Sequence, residues 1–485
     1  MMGVHQSQSN LFTSTVQLDK RVRPDHPLRQ IVVLVDFSFV RAETARFYGQ
    51  NGNVSVDPAV ILKLMFLLFY DNIASERELM GMVAERLDYL WFLGYGLDDE
   101  IPDHSALSKA RARWGKEVFE SFFVRVVTQF VEKGLVDGGK IHVDSSLVDA
   151  NASKDSIRRG PPELIAALKE AYQAQESKLS DTTTPADYVA VNDRLVSDTD
   201  PDAAVVRKGN DSARPRYHHH RVVDDAQGVV TAIKTTPGSI AEQSQLQTLV
   251  DQHQANTQRL AGTVVADHKY GTVENFIACQ QRGLRTYLGD LQAKQMPSPD
   301  RGIFSEEAFT YRPDTNCYVC PAGQILKARK YHRQSWEYAT AKGICLACPL
   351  RPQCTRSRTG RTLKRHQEQA LLDQAREQSH SAAGRQDRKR RQQIMEQSFA
   401  DAANNHGFKR SRWRRLWRQE IQDWMIAAIQ NIRLLVKNSK PTHAAAAAVA
   451  WAVCQKAFLA AFAAFLSAPR LQTARASVEP SCELS

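Results

Sequence analysis

Three acids and a group of thiols are the residues of this chain whose types and settings could do chemistry. Asp144 lies in "KIHVDSSLVDA", an alternating, β-branched stretch that reads as a strand, and Asp267 ends "TVVAD" just before the turn "HKYG". Open α/β sheets collect their active sites at strand ends, yet one aspartate there is as readily a cap or a turn residue. A third carboxylate meeting these two would supply the clustered oxygens that a hard divalent cation requires. Glu396, inside "RKRRQQIMEQSF", is the candidate. Its helical neighbours three and four positions away, Gln392, Gln393, Phe399 and Ala400, include no cation to neutralise it. Phe399 and Ala403 share its face, which predicts an inward-pointing acid in need of a distant partner or a metal ion.

The thiols stand in "CYVCPAGQ…GICLACPLRPQC": Cys317, Cys320, Cys345, Cys348 and Cys354. Two Cys-x-x-Cys pairs separated by 24 residues approach zinc-ribbon spacing, because each pair can hold one edge of a tetrahedral site. Five thiols compete for four positions, and ordinary free cysteines are the alternative. The first residues, "MMGVHQSQSNLFTST", lack the charged start and apolar core of a signal peptide, so a cytoplasmic protein is expected. Thiols are kept reduced there, which argues against a disulfide framework for the eight cysteines.

The elements that must position these groups change character along the chain. Residues 57–135 are helical in pattern: Asp57 and Pro58 occupy cap and first-turn positions, and Ser75 and Glu78 have capping-box spacing. "PDHSALSKARARWG" presents Lys109, Arg111 and Arg113, and the next helix carries Phe119, Phe122, Phe123, Val126, Val127 and Phe130 on one face. This suits a helix-turn-helix-like DNA binder and a plain helical bundle equally. From Lys140 onward strands alternate with helices after an opening hairpin at "YHHHRVVDDAQGVVTAIKTTPGS", which predicts an α/β domain with a mixed sheet. A helix is expected over 162–178, followed by an exposed Asp-, Ser- and Thr-rich connection. The three histidines at 218–220 alternate faces and read as structural, and "RLWRQEIQDWMIAAIQNIRLLV" carries a core-facing apolar stripe.

The chain is 485 residues long with a net charge of +11, and between Arg385 and Arg418 eleven Lys and Arg face three acids. Trp413 and Trp417 lie among those arginines, and interleaved aromatics turn a basic run toward nucleic acid rather than a merely solvated helix face. The candidate DNA contacts are Lys109, Arg111, Arg113, Arg388, Lys389, Arg390, Arg391, Lys409, Arg410, Arg412, Arg414 and Arg415. The Ala-rich stretch 443–468 has Gln455 and Lys456 at its middle, so it reads as a soluble C-terminal helix or tail rather than a membrane span.

"IHVDSSLVDANAS", "VVADHKYGTVENF" and "RRQQIMEQSFADAANNHGFKRSRWRR" resemble, in order, the three acidic motifs of the DDE transposases of bacterial insertion sequences. The resemblance extends over roughly residues 20–437, with "PDHSALSKAR" resembling part of that group's DNA-binding region. It implies a ribonuclease-H-like α/β catalytic domain with a mixed sheet, preceded by an all-helical DNA-binding domain and carrying an inserted cysteine-rich module. The implied division is 1–135 helical, 136–305 first catalytic part, 306–360 cysteine-rich, 361–440 second catalytic part and 441–485 tail. Asp144, Asp267 and Glu396 would be ligands of two Mg²⁺ ions, or Mn²⁺, with Cys320, Cys345, Cys348 and Cys354 as the Zn²⁺ set and Cys317 the alternate. The partners implied are double-stranded DNA, as terminal inverted repeats and target, bound by a homodimer, with no membrane. The chain departs from the family where Lys269 stands in place of a frequent Gly and Ala403 in place of a Lys seven residues after the Glu. A non-catalytic DNA-binding descendant and a metal-dependent nuclease without strand transfer are the alternative readings.

Overall fold

The computed structural model describes residues 16–49, 54–179, 195–290, 302–332 and 334–439. Contacts divide the chain into a main unit, Met1–Leu434, and a second, Leu435–Ser485, of which only the end of one helix is described. The Ala-rich stretch 443–468 lies outside the described residues. Among those residues no helix is long and apolar enough to cross a membrane.

The helical region forms around Pro58–Tyr70, in which every residue except Lys63 and Tyr70 is buried. Asp57 caps it, its Oδ1 accepting from the Ala59 amide at 2.9 Å while Oδ2 pairs with Arg41 at 2.6 Å. A helix buried all round shows no amphipathic period, which is why its composition rather than its pattern marks it. Ser75 caps Glu76–Glu85 by accepting from the Glu78 amide, as its spacing predicts, and Glu117–Glu132 buries the whole phenylalanine and valine face. Phe37, Phe66, Phe92 and Phe122 meet with ring centroids 5.6 to 5.9 Å apart.

Strand β1 (Lys140–Asp149) begins the sheet that follows. β2 (Ile157–Arg159) and β3 (Leu195–Ser197) form a separate pair, and β4 (Ala204–Val206) joins the main sheet. Of the exposed connection expected over 180–203, residues 195–203 are described, and there Ser197, Asp200 and Ala203 are buried. β5 (Arg214–Asp224) and β6 (Val230–Pro237) are the predicted hairpin, turned at Gly228 with φ +72°. β7 (Thr263–Ala266) and β8 (Arg285–Leu288) run parallel to β1. The order β4-β5-β1-β7-β8, with β6 on β5, makes β1 the seam between an antiparallel and a parallel half. Helices Leu246–Thr257, Val273–Gln281 and Gln369–His380 pack onto it through Leu249, Phe276 and Leu372.

A second sheet is an antiparallel meander of β9 (Thr310–Arg312), β10 (Cys317–Val319), β11 (Ile325–His332), β12 (Ser335–Ala339) and β13 (Thr362–His366). Because β13 pairs with β12, the cysteine-bearing segment runs to His366 rather than ending at 360. The last helix, Leu416–Ser439, is not merely striped. Gln419, Gln422, Asp423 and Asn431 are buried beside Ile421, Met425, Ile429 and Ile432. Polar groups are tolerated there because they are bonded: Asp423 accepts from Thr235 Oγ1 at 2.6 Å, and Asn431 exchanges hydrogen bonds with the Val230 backbone.

The helical region packs directly on this unit. His406 Nδ1 lies 2.8 Å from the Phe69 carbonyl, Lys116 pairs with Glu420 at 2.8 Å, and Trp413 meets Phe69 edge-on.

Candidate active site

Register brings two of the acids together. β1 pairs with β7 through Lys140 and Thr263, Ile141 and Val264, and His142 and Val265; two steps further along the same register stand Asp144 and Asp267. β7 ends at Ala266, so Asp267 leaves the strand and caps the following turn, accepting from the Lys269 amide at 2.9 Å. Across β1 the partner of Asp144 is Arg221 of β5, and cross-strand partners share a face of the sheet.

The helix Ala382–His406 crosses that face. Its buried positions are Gly384, Asp387, Arg391, Met395, Ala402 and His406, spaced by threes, fours and one gap of seven. Arg391 donates from Nε to the Val143 carbonyl at 3.1 Å and pairs with Asp144 Oδ2 at 2.8 Å. Seven residues on, Ser398 Oγ accepts from Arg221 at 2.8 Å. Arg221 is fully buried, its guanidinium 4.4 Å from the Phe399 ring centre, and burial pushes it down to about 10. The helix is thus pinned on both sides of the Asp144 and Arg221 pair, and Glu396 lies between the pins.

Glu396 itself is exposed, one position past buried Met395, and its Oε1 accepts from Gln392 Nε2 at 2.9 Å. One residue of helix is about 100° of rotation, enough to take a side chain off the packed stripe. The inward acid expected from Phe399 and Ala403 is therefore corrected: the buried charge of the segment 388–399 is Arg391, a cation that composition assigns to the surface.

Asp144 Oδ1 accepts from the Ser145 amide at 2.8 Å. Burial raises the Asp144 carboxyl above the usual carboxylate range, Arg391 opposes that, and Asp267 and Glu242 add to it. Glu242 was not foreseen. It sits in the turn Glu242–Gln245, Oε2 accepts from Ser145 Oγ at 2.5 Å, and Oε1 pairs with Lys269 at 2.6 Å. His218 Nε2 lies 3.0 Å from the same Ser145 hydroxyl, and burial lowers the pKa of its imidazole. Lys269, the departure after Asp267, is raised first by its bond to Glu242 and then by the fields of Asp267 and Asp144. No local sequence signal marks Glu242, because turn 242–245 reaches β1 only through the folded sheet.

Oxygen donors of this kind suit Mg²⁺ or Mn²⁺. As arranged, no three His, Cys, Asp or Glu side chains among the described residues stand together closely enough to hold a metal ion. Cys320, Cys345, Cys348 and Cys354 do line one pocket, with Phe309 and Leu326 behind them. The Gln324 amide donates to Cys320 Sγ at 3.3 Å, and Thr340 Oγ1 is 3.1 Å from Cys345 Sγ. Cys317 is buried away from that pocket with Thr315 Oγ1 3.0 Å from its sulfur. Thiols are the donor type that zinc takes, but as arranged these four line the pocket without closing round one point, and the fifth does not join them.

The cations divide. Lys109, Arg113, Lys389, Arg390, Lys409, Arg410 and Arg414 are exposed, although Arg390 pairs with Asp225 at 2.5 Å and Lys409 donates to Ser146 Oγ at 2.7 Å. Arg111, Arg391 and Arg415 are corrected as DNA-facing residues, being buried and paired with Glu76, Asp144 and Asp202. Arg388 and Arg412 are partly buried and donate to backbone carbonyls of Ser379 and Ile73. Trp413 is a packing residue, with the Arg111 guanidinium 3.9 Å above its ring centre.

Residues 16–113 match a family described as a transposase domain, DUF772, and residues 319–436 match one described as a transposase DDE domain. The second segment contains the four pocket cysteines and Glu396 and begins after Asp144 and Asp267. No curated protein matches the chain. Among solved structures it is similar to the Mos1 transposase paired-end complex with left transposon end, at 12% identity and TM-score 0.17, over 54% of this chain and 67% of that one. It is also similar to the Mos1 mariner paired end complex with Mn, at 11% identity and TM-score 0.16, over 49% and 60%. A third is the piggyBac transposase synaptic complex with hairpin DNA, at 8% identity and TM-score 0.26, over 86% and 82%. The chain thus carries a transposase domain over residues 16–113 and a transposase DDE domain over residues 319–436.

Proposed function

We propose that the protein binds the terminal inverted repeats of its element as a dimer, cleaves DNA strands there and joins the freed 3′-hydroxyls to target DNA. The observation that carries the reading is the adjacency of Asp144 and Asp267 across β1 and β7, under a helix that bears Glu396. The strand order, with β1 between an antiparallel hairpin and two parallel strands, fits a ribonuclease-H-like catalytic domain.

Asp144, Asp267 and Glu396 are the side chains that would hold two Mg²⁺ or Mn²⁺ ions. When bound, such ions activate a water or a 3′-hydroxyl and stabilise the leaving oxygen of an in-line displacement. The chain's own part is positional. Arg391 and the Ser145 amide orient the Asp144 carboxylate, and the Lys269 amide orients Asp267. Rotation of Glu396 away from Gln392 frees its carboxylate, which no cation holds at three or four residues' distance. Exposed Lys409, Arg410 and Arg414, which follow the same helix, offer phosphate contacts beside β1. Cys320, Cys345, Cys348 and Cys354 are the proposed zinc ligands, and bound Zn²⁺ would tie the loop between β12 and β13 to the second sheet.

The test is cleavage and joining of DNA bearing the element's ends by purified protein with Mg²⁺ or Mn²⁺. Asp144→Asn, Asp267→Asn and Glu396→Gln should each abolish both steps while end binding persists. Full activity of Glu396→Gln would remove it from the triad. A non-catalytic DNA binder would bind the ends but cut nothing. A nuclease without strand transfer would cut but leave pre-cut 3′-hydroxyl ends unjoined. Metal analysis of reduced protein should find one zinc per chain, and none after the four cysteines are changed to serine.

A further inference from the structure

The second sheet has an aromatic face whose outer end lies open. Register puts Tyr331 of β11 opposite Trp336 of β12, and Trp336 opposite Arg365 of β13. The Tyr331 and Trp336 rings are 4.9 Å apart, and these side chains are 47% and 37% exposed, among the few large apolar groups at the surface. Toward the β9 edge of the sheet the face continues through Tyr318 and Tyr311, whose rings lie 5.1 Å apart, and Arg365 stands 3.9 Å above the Tyr311 ring. The rings are held rather than loose: Tyr331 donates to Gln367 Oε1 at 2.8 Å, and Tyr311 to Asn316 Oδ1 at 3.1 Å.

Exposed cations lie on both sides of this end. Arg329 sits at the bulge of β11 between the register positions of Ala328 and Lys330, while Lys330 and Lys364, both opposite Glu337, and Lys327, opposite Ala339, project from the other face of the sheet. Against them the paired segments of β11, β12 and β13 contain one acid, Glu337. Stacked aromatics with a guanidinium, bordered by cations, match the flat faces and the charged backbone of unpaired nucleic acid; a duplex hides the bases that such rings would stack on.

We propose that the open end of this sheet is a binding site for a short unpaired stretch of DNA. One or two bases stack on Trp336 and Tyr331, while Arg365 and Arg329 take the phosphates. The site is separate from the Asp144 and Asp267 pair. It adds to the proposed function a surface for strands that open at a DNA end, and it does not depend on which acid completes the triad.

The test uses the full-length protein, its tryptophan fluorescence and two ligands: a ten-residue oligothymidylate and a blunt duplex of the same length. Oligothymidylate should quench the emission, and the quench should disappear in Trp336→Phe. Trp336→Ala and Tyr331→Ala should each weaken oligothymidylate binding about tenfold with unchanged thermal midpoint, since both residues are exposed. Trp336→Phe should keep most of the affinity, and duplex binding should change little in any of the three. Wild-type affinity for oligothymidylate in Trp336→Ala and Tyr331→Ala overturns the proposal, as does equal loss of both ligands. Glu396→Gln and Asp144→Asn should bind oligothymidylate like the wild type, so loss of strand cleavage and loss of this site are told apart.

Discussion

Replacing Arg391 with Met isolates the one buried ion pair at the acid site. Arg391 is 9% exposed, its guanidinium both pairs with Asp144 and donates to the Val143 carbonyl, and the Asp144 side chain is 24% exposed. Removing one partner of a buried pair costs about 3–5 kcal/mol, and the partial exposure of Asp144 reduces that to roughly 2 kcal/mol. Methionine fills most of the volume, so packing adds little. Asp144→Asn removes the charge that Arg391 answers, so the double variant should be less destabilised than the sum of the singles, with a coupling near 2 kcal/mol. The pH dependence has a defined sign. Asp144 is raised in the folded protein, so its ionisation weakens the fold as pH rises from the ordinary carboxyl value through the raised one, and Arg391 lessens that loss. Arg391→Met should thus cost most above this window. Below the unfolded carboxyl value the cost should shrink to that of the lost bond to Val143. Guanidinium unfolding of the four proteins at several pH values measures all of this. Single-variant effects that add within about 0.5 kcal/mol, or a cost independent of pH, would refute the pairing argument.

Arg111→Ala should destabilise the protein by about 3 kcal/mol in the same assay, because it strands Glu76 and uncovers Trp413. Exposed Lys109→Ala and Arg113→Ala should leave stability within about 0.5 kcal/mol and show their effect in the salt dependence of DNA binding. Gly271→Ala should cost about 1–3 kcal/mol or more and impair cleavage, since a Cβ there would lie 1.7 Å from the Gly289 carbonyl oxygen and must displace the turn that carries Asp267. Asp200 is pushed up to about 7 by burial and by Asp202, so its unfolded form ionises first and stability falls between about pH 4 and 7. Asp200→Asn should flatten that fall and raise the unfolding midpoint above pH 7. A lower midpoint at all pH values would mean that the Tyr217 and Arg415 hydrogen bonds to Asp200 matter more than its charge.

The sequence by itself determined what depends on neighbours along the chain. Period-two alternation gave β1 and the β5–β6 hairpin, and side-chain oxygens gave the caps at Asp57 and Ser75. Alternation also settled the histidines: His218 and His220 share one face with rings 4.4 Å apart, and His219 turns to Asp423 at 3.0 Å. Tertiary structure alone decided which charges are inside. Composition treats Arg388 to Arg391 as one basic run, but a helix shows its residues in turn to sheet and solvent, so Arg391 meets Asp144 while Lys389 and Glu396 face outward. For the same reason Trp413 became a packing residue and Arg111 a buried one. Glu242 reached the site from a turn 97 residues beyond Ser145, a proximity that exists only when β1 is paired and the turn after β6 is folded against it. Local pattern specifies elements because each residue's own backbone and its close neighbours fix them. Burial of a charge is fixed by groups distant in sequence, and only the folded chain brings those together.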